Sequence, residues 1–341
     1  MTEITNLIAP HLNSDQYKLF LGSTDTLPYL EYIKIRSDGT FLIGCSELVG
    51  RHWKGCVYVF KSKTDINDVK FNPKRAIRLA SSTTDSCFLG KTDKILTCDD
   101  SGAVTLWSRR QFAPYNWVDD AAVYEHDDIV MAMDCLSPEE TYVTVGADGH
   151  IKIWDVQEML CIRNYELAHS NIITDVSVKP NSSCVMATSS YDRTVCLWDE
   201  NINKPVLDVA ESDCGIRCVK WLDEQTIVFG NEAGALCSVD IRQPLTTLNT
   251  IDNLPAALHK ITVKHESKHV AVCGDYRRVS VYDISGAKSQ LIYKNNELHK
   301  NFIRGLAWDI QKADTLYSVG WDQTVKITIS LISFGNLDLY T

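Results

Sequence analysis

The sequence predicts an all-β fold over residues 29–334, a seven-bladed β-propeller in which each blade is a small four-stranded sheet. One pattern recurs: a turn with Asp or Gly precedes an alternating strand that ends in an aromatic or apolar residue, apart from the last copy, which ends in Thr. These strand ends are Phe60, Trp107, Trp154, Trp198, Val239, Tyr282 and Thr328, spaced by 47, 47, 44, 41, 43 and 46 residues. Four short strands with their turns fill about 40–45 residues, which is one blade. The strands alternate with a period of two, as β-strands do.

The individual copies of the pattern differ in strength. The clearest occupy residues 147–155 and 191–199, and both end in Trp-Asp. The weaker copies lie at 101–107, 233–240 and 277–283, and the outermost at 55–60 and 321–328. The repeat therefore extends through the whole predicted ring.

Polar residues recur in the same register as the strand ends. The sets are His126, Thr144, Asp148 and Trp154; His169, Thr188, Asp192 and Trp198; and His299, Ser318 and Asp322, with Thr328 in place of Trp. They resemble the His–Ser/Thr–Asp–Trp tetrad of WD-repeat blades. A buried Asp needs a partner, and the His and the hydroxyl group can supply it. Recurrence at blade spacing favours a structural role over a hydrolase triad.

The remaining blades and the chain ends are less well specified. The blades at 101–107, 233–240 and 277–283 lack the full set, so we expect apolar packing to hold them. Residues 1–28 are interpreted as an N-terminal extension and residues 335–341 as a C-terminal tail. Either Asp15–Leu21 or Tyr29–Ile35 fits a ring-closing strand or a strand of the first blade, and the sequence leaves both open. Lys326–Phe334 is predicted to complete the last blade.

Composition narrows the class of partner. The formal net charge is -10, from 34 Lys and Arg against 44 Asp and Glu, which argues against direct nucleic-acid binding and suits basic partners. The 12 cysteines contain no Cys-x-x-Cys pair and mostly lie in apolar runs, as in a reduced intracellular protein. Neither a secretory signal nor an apolar run of membrane-spanning length is seen.

Patterns that carry chemistry are not found. The sequence contains neither a Gly-rich phosphate loop nor a Gly-x-Ser-x-Gly nucleophile turn. His265 and His269 have metal-ligand spacing but lie in a polar stretch that reads as a hairpin turn, and Asp119-Asp120 and Glu139-Glu140 read as solvated loops. We therefore predict no catalytic residue, no cofactor and no metal site.

Three segments are candidates for protein binding. Arg51, His52, Trp53 and Lys54 lie in what reads as a long Gly-bounded loop of the first blade, and Trp and Arg dominate interface hot spots. The alternative is that Trp53 folds back onto its own blade. Asp127 and Asp128 are predicted on a loop at one face, either as a partner contact or as a solvated acidic turn. Trp321 precedes Asp322 in a turn where the other blades place Ala147 or Tyr191.

Four segments resemble the methylosome protein 50 family, whose members are WD-repeat cofactors of the type II (symmetric) protein arginine methyltransferase. They are Arg-Ser-Asp-Gly at 36–39, Gly-Arg-His-Trp-Lys-Gly at 50–55, Tyr-Glu-His-Asp-Asp-Ile-Val at 124–130 and Val-Gly-Trp-Asp-Gln at 319–323. The resemblance spans roughly residues 30 to 330. It implies a non-catalytic subunit of a hetero-oligomer, in which Trp53 anchors the first blade to the N-terminal barrel domain of the methyltransferase. It also implies Arg-rich substrates such as Sm proteins and histones, and residence in the cytoplasm and nucleus.

Two alternatives belong to other classes. Val239-Asp240-Ile241-Arg242 resembles the Asp-x-Arg element with which some WD-repeat substrate receptors dock on a cullin ubiquitin ligase. The blades that end at Trp154 and Trp198 continue without the Arg, which weakens this alternative. A propeller enzyme is the third possibility, and the lack of a recognisable site argues against it.

Overall fold

The computed structural model describes residues 29–49, 52–61, 76–110, 117–138, 140–245, 249–264, 266–286, 288–312 and 314–329. Within these ranges the 27 regular elements are all β-strands. They form seven antiparallel sheets, each built from consecutive strands of the chain. The predicted all-β, seven-bladed propeller is confirmed.

The strands run in chain order through the blades. Blades 1 and 2 comprise β1 (Tyr29–Ile35), β2 (Phe41–Val49), β3 (His52–Phe60), β4 (Ala76–Arg78), β5 (Thr83–Phe88), β6 (Lys94–Asp99), β7 (Ala103–Arg109) and β8 (Trp117–Tyr124). Blades 3 and 4 comprise β9 (Val130–Ser137), β10 (Thr141–Gly146), β11 (Ile151–Asp155), β12 (Leu160–Tyr165), β13 (Ile173–Val178), β14 (Val185–Ser190), β15 (Thr194–Asp199) and β16 (Leu207–Glu211). Blades 5, 6 and 7 comprise β17 (Ile216–Trp221), β18 (Thr226–Asn231), β19 (Ala235–Asp240), β20 (Asn249–Asn253), β21 (Leu258–Lys264), β22 (His269–Gly274), β23 (Val279–Asp283), β24 (Gln290–Asn295), β25 (Ile303–Trp308), β26 (Thr315–Gly320) and β27 (Val325–Ile329).

The first strand of every blade is the innermost one. Each contacts the first strand of the next blade, and the ring closes where β25 and β26 pack against β1. Tyr29–Ile35 therefore belongs to the first blade and is not a strand of the last one. The other proposed closing strand, Asp15–Leu21, and residues 330–334 of the last predicted strand lie outside the described ranges.

Apolar side chains fill the spaces between neighbouring sheets. Trp198 of blade 4, for example, packs with Val143 and Ile153 of blade 3 and is only 1 % exposed. Burial of a large apolar side chain contributes on the order of 1.5–3 kcal/mol, so these layers supply most of the stabilisation. All 12 cysteines are free thiols.

The recurring polar residues meet at three blade junctions. His169 lies 2.8 Å from Asp192 through Nδ1 and 2.7 Å from the Thr188 hydroxyl through Nε2, and Trp198 donates its indole N–H to that hydroxyl at 2.8 Å. The set around His126 has the same contacts at 2.8, 2.8 and 2.7 Å, with Asp148, Thr144 and Trp154. In blade 7 His299 contacts Asp322 at 2.9 Å and Ser318 at 2.8 Å.

The tetrad carboxylates are held ionised despite their burial. Burial by itself raises the pKa of Asp192, but the hydrogen bonds from His169 and Thr194 outweigh it and the net shift is downward. The pKa values of Asp148 and Asp322 are also lowered, by the same balance.

The prediction that apolar packing holds the blades without the full tetrad was incomplete, because blade 2 retains half of a tetrad. There Trp107 donates to the Thr97 hydroxyl at 2.9 Å.

Candidate protein-binding surface

The segment interpreted as a long loop in the first blade is a β-hairpin. β2 and β3 are nine residues each and pair in register from Phe41↔Phe60 to Val49↔His52. The loop prediction was wrong because cross-strand pairing outweighs the polar composition. Glu47 lies opposite Lys54, and Leu48 lies opposite Trp53. Opposite charges and paired apolar groups stabilise an antiparallel ladder.

Gly55 lets this hairpin leave the body of the blade. A Cβ atom at this position would lie 2.5 Å from the backbone nitrogen of Thr83 and 2.6 Å from the carbonyl oxygen of Ser81. The backbone of the next blade therefore requires Gly here, as is common where two main chains approach closely. Beyond Gly55 the hairpin carries Trp53 away from the sheet core.

Trp53 of the hairpin lies at one end of a row of aromatic side chains that are exposed or half-buried. Tyr29 stands 6.2 Å from Trp53 and 5.9 Å from Trp321 between ring centroids, and Phe302 lies 5.8 Å from Trp321. Exposure is 37 % for Tyr29, 38 % for Phe302, 47 % for Trp53 and 52 % for Leu48. We give the name seam surface to five residues that span the junction of blades 1 and 7: Tyr29, Leu48, Trp53, Phe302 and Trp321.

Trp321 is held in place by charged neighbours. Its indole N–H lies 3.2 Å from each carboxylate oxygen of Glu31, and the Arg304 guanidinium lies 5.0 Å from its ring centroid. Arg304 Nε is 3.5 Å from Glu31 Oε2. Burial raises the pKa of Glu31, while Arg304 and Trp321 act in the opposite direction. Trp321 thus both joins the two blades and presents a half-buried ring to solvent.

The other predicted binding residues are placed as follows. Arg51 lies outside the described residues, and of His52 only the backbone is described, as the first residue of β3. Asp127 and Asp128 are exposed on the connection between blades 2 and 3, where Asp127 N donates to Asp148 Oδ2 at 3.1 Å. This connection does not belong to the seam surface. The structure brings together Trp53 and Trp321, which sequence reasoning had treated separately.

Sequence reasoning missed Tyr29, Leu48 and Phe302. The missing signal was structural equivalence: Phe302 directly precedes β25, and Tyr29 opens β1, so both occupy the start of an innermost strand. Aligning the blades would have placed them next to the hairpin that carries Trp53 and the turn that carries Trp321. Their exposure distinguishes them from the apolar residues of the core.

The structure also locates the residues behind the cullin and metal alternatives of the sequence analysis. Asp240 and Arg242, the basis of the cullin alternative, pair with each other at the surface through Arg242 Nε at 3.0 Å. His265 lies outside the described residues, and in those that are described no group of three or more His, Cys, Asp or Glu side chains is arranged to hold a metal ion. A helix long and apolar enough to cross a membrane does not occur in the described ranges either.

Comparison with known proteins supports both the repeat and the resemblance. The family model described as "WD domain, G-beta repeat" matches residues 121–155 and 160–199. These two segments end one residue after Trp154 and one residue after Trp198. The chain is 28 % identical over 304 residues to Methylosome protein WDR77 from Xenopus laevis, which covers 86 % of this chain and 87 % of that protein. The resemblance to the methylosome protein is confirmed.

More distant matches cover less of their counterparts. WD repeat-containing protein 37 from Xenopus laevis is 25 % identical over 59 % of this chain and 41 % of its own length. Protein SOF1 from Saccharomyces cerevisiae is 22 % identical over 72 % of this chain and 49 % of its own length. The comparisons give the cullin alternative no support.

Proposed function

We propose that this chain, a WD-repeat β-propeller similar to a methylosome protein, is a non-catalytic methylosome subunit that binds a type II protein arginine methyltransferase. The observation that carries the proposal is Trp53, which is 47 % exposed on a hairpin whose two strands are paired along their whole length. Exposed Trp on a pre-ordered element is the kind of residue that dominates binding energy, because little entropy is lost on docking.

The seam surface extends this anchor into a patch that suits an apolar partner surface. Trp53, Tyr29, Trp321 and Phe302 form a continuous row with centroid separations of 5.8–6.2 Å. We assign the N-terminal barrel domain of the methyltransferase to this patch, as the resemblance implies. Catalysis then belongs to the partner, and this chain contributes position.

Basic substrates are the second element of the proposal. A net charge of -10 attracts Arg-rich chains such as those of Sm proteins and histones, and long-range attraction of this kind raises association rates. Asp127 and Asp128 are exposed on the same ring and available for such contacts. The proposed role is to hold these substrates near the methyltransferase, in the cytoplasm and the nucleus.

Calorimetric titration of the purified methyltransferase into the full chain tests the docking role. Trp53→Ala should weaken binding about 30-fold or more, the effect of losing a hot-spot residue worth about 2 kcal/mol. Leu160→Ala is the matched control, because Leu160 is also an exposed apolar residue (58 %) but lies on the outer strand of blade 3. A folded Trp53→Ala variant that binds like wild type would refute the anchor, and failure of the wild type to bind would refute the function.

A further inference from the structure

The hairpin that carries Trp53 has two cysteines at its base. Cys45 of β2 and Cys56 of β3 lie directly opposite each other in the ladder between these strands. In the other strand pairs that the structure describes, every cysteine faces a residue of another type. The pairing of two thiols across a ladder is therefore particular to this hairpin among the described strands.

The ladder brings the two side chains within reach of a covalent bond. Directly opposite residues of an antiparallel pair point to the same face, with Cα atoms about 4.5–5.5 Å apart, and disulfides span Cα separations of about 4.4–6.8 Å. A hydrogen bond between the thiols of Cys45 and Cys56 is the second cause, after burial, of the raised pKa of Cys45. The two positions can therefore be bridged with both strands left in place.

The two thiols differ in their surroundings. Cys45 is fully buried in the apolar layer that includes Tyr317 and Val319 of blade 7, and burial raises the pKa of its thiol well above the usual value. Cys56 packs against the same layer but is only half-buried. Because oxidation selects thiolates that solvent can reach, Cys56 is the thiol that an oxidant meets first, and Cys45 remains protonated behind it.

We propose that Cys45 and Cys56 form a redox-sensitive modification site, at which a peroxide converts the two thiols into a disulfide across the base of the hairpin. The Cys56 thiolate attacks one oxygen of hydrogen peroxide, the O–O bond breaks, and the leaving hydroxide takes up the proton that Cys56 had released. The products are water and a sulfenic acid at Cys56. The Cys45 sulfur then attacks the sulfenic sulfur, and its proton leaves with the hydroxide as a second water. Two thiols and one peroxide thus give one disulfide and two waters, and a dithiol reductant reverses the oxidation.

The disulfide fixes the part of the hairpin that extends past the sheet. It encloses residues 46–55, which include Trp53 and its cross-strand partner Leu48. A covalent bond at the base limits the freedom that these residues gain when the strands separate, so local opening becomes rarer. The cross-link itself does not depend on the proposed methylosome function, and only its effect on docking rests on that function.

Mass spectrometry of the full chain after treatment with hydrogen peroxide tests the site. Remaining thiols are blocked with N-ethylmaleimide, and trypsin then cleaves after Arg51 and Lys54, which separates the peptides of Cys45 and Cys56 unless a disulfide joins them. The joined peptides should appear in the oxidised sample and disappear after dithiothreitol. Cys161→Ser is the matched control, because it removes another half-buried thiol, on β12, and should leave the cross-link intact. Absence of the joined peptides at a peroxide dose that oxidises Cys161 would overturn the proposal.

Single variants test the order of the two steps. In Cys45→Ala the sulfenic acid at Cys56 has no thiol to condense with, so dimedone, which reacts with sulfenic acids, should label Cys56. In Cys56→Ser the buried Cys45 should stay unlabelled. Labelling of Cys45 in the second variant, without labelling of Cys56 in the first, would overturn the assignment of Cys56 as the peroxide-reactive thiol.

Hydrogen exchange and calorimetry test what the cross-link does. The backbone amides of residues 46–55 should exchange at least about threefold more slowly in the oxidised chain, and unchanged exchange would show that the disulfide does not fix the hairpin. The oxidised chain should bind the methyltransferase at least as tightly as the reduced chain, and binding by the reduced chain alone would contradict the inferred effect on docking. If peroxide forms the disulfide and neither form binds, the proposed function fails and this site stands. If both samples bind and no disulfide forms, the site fails and the function stands.

Discussion

Blades 1 and 4 use the same connection, between their second and third strands, in opposite ways. In blade 4 the connection is a tight turn whose Asp192 points back to His169 at 2.8 Å. In blade 1 the strands continue past the sheet and carry Trp53 into solvent. In blade 4 this connection braces the blade through Asp192, whereas in blade 1 it holds an exposed aromatic ring. One repeat therefore supplies rigidity and another supplies recognition.

Trp198 and Trp53 show the same contrast between a buried, bracing residue and an exposed one. Trp198 is 1 % exposed and its indole N–H is satisfied by Thr188, whereas Trp53 is 47 % exposed. The difference follows from what lies opposite each residue. Trp198 faces Met186 across the strand pair inside the apolar layer of blades 3 and 4, and Trp53 faces the exposed Leu48.

The largest expected effect is on stability, from Trp198→Ala. Loss of this buried ring should lower the free energy of unfolding by about 3–5 kcal/mol, whereas Trp53→Ala should change it by less than about 0.5 kcal/mol. Urea unfolding followed by circular dichroism measures both variants. Equal destabilisation by the two substitutions would erase the distinction between the two blades.

Acid sensitivity should be next in size. Because the folded-state pKa of Asp192 is lowered, the folded protein binds fewer protons than the unfolded chain below the unfolded value of about 3.9. This stabilisation is present above that pH and is lost as the pH falls toward the folded-state pKa. Asp192→Asn should be less stable at pH 6 by about 1–2 kcal/mol and should lose less further stability between pH 4.5 and 2.5. Parallel pH profiles for the variant and the wild type would show that the carboxylate does not brace the blade.

Blade 2 lies between the two extremes, since it has a Trp and a hydroxyl but not the full tetrad. Trp107→Phe removes the hydrogen bond to Thr97 and keeps most of the ring. It should cost about 1 kcal/mol, less than Trp198→Ala, in the same unfolding experiment. A cost as large as that of Trp198→Ala would mean that half a tetrad braces a blade as well as a whole one.

The smallest effect is expected at the far side of the seam surface. Trp321→Phe loses the contact with Glu31 but retains an aromatic ring, so it should weaken methyltransferase binding only about two- to threefold, as contacts around a central anchor usually do. Trp53→Ala in the same titration provides the reference. A loss at Trp321 that exceeded the loss at Trp53 would move the anchor from blade 1 to blade 7.

The fold was more predictable than the site, for physical reasons. Blade ends are marked by a turn and a large residue such as Trp154, and the spacing from His126 to Trp154 encodes hydrogen bonds that the structure contains. These signals lie within one repeat. The hairpin was misread because polar residues such as Glu47 and Lys54 resemble a loop until their pairing is known.

The seam surface combines residues that are distant in sequence. Tyr29 and Phe302 meet Trp321 only because the ring closes. Placement of residues on equivalent positions of each blade is the step that would reveal such clusters without a structure.

The seam surface has a consequence for the timing of assembly. Its members come from the beginning and the end of the ring, Trp53 from β3 and Trp321 from the turn after β26. During synthesis a nascent chain exposes Trp53 long before Trp321 exists, and the row of rings is complete only when the final blade packs against the first. A partner that requires the whole row would therefore bind completed propellers and would not bind chains that are still being synthesised on the ribosome.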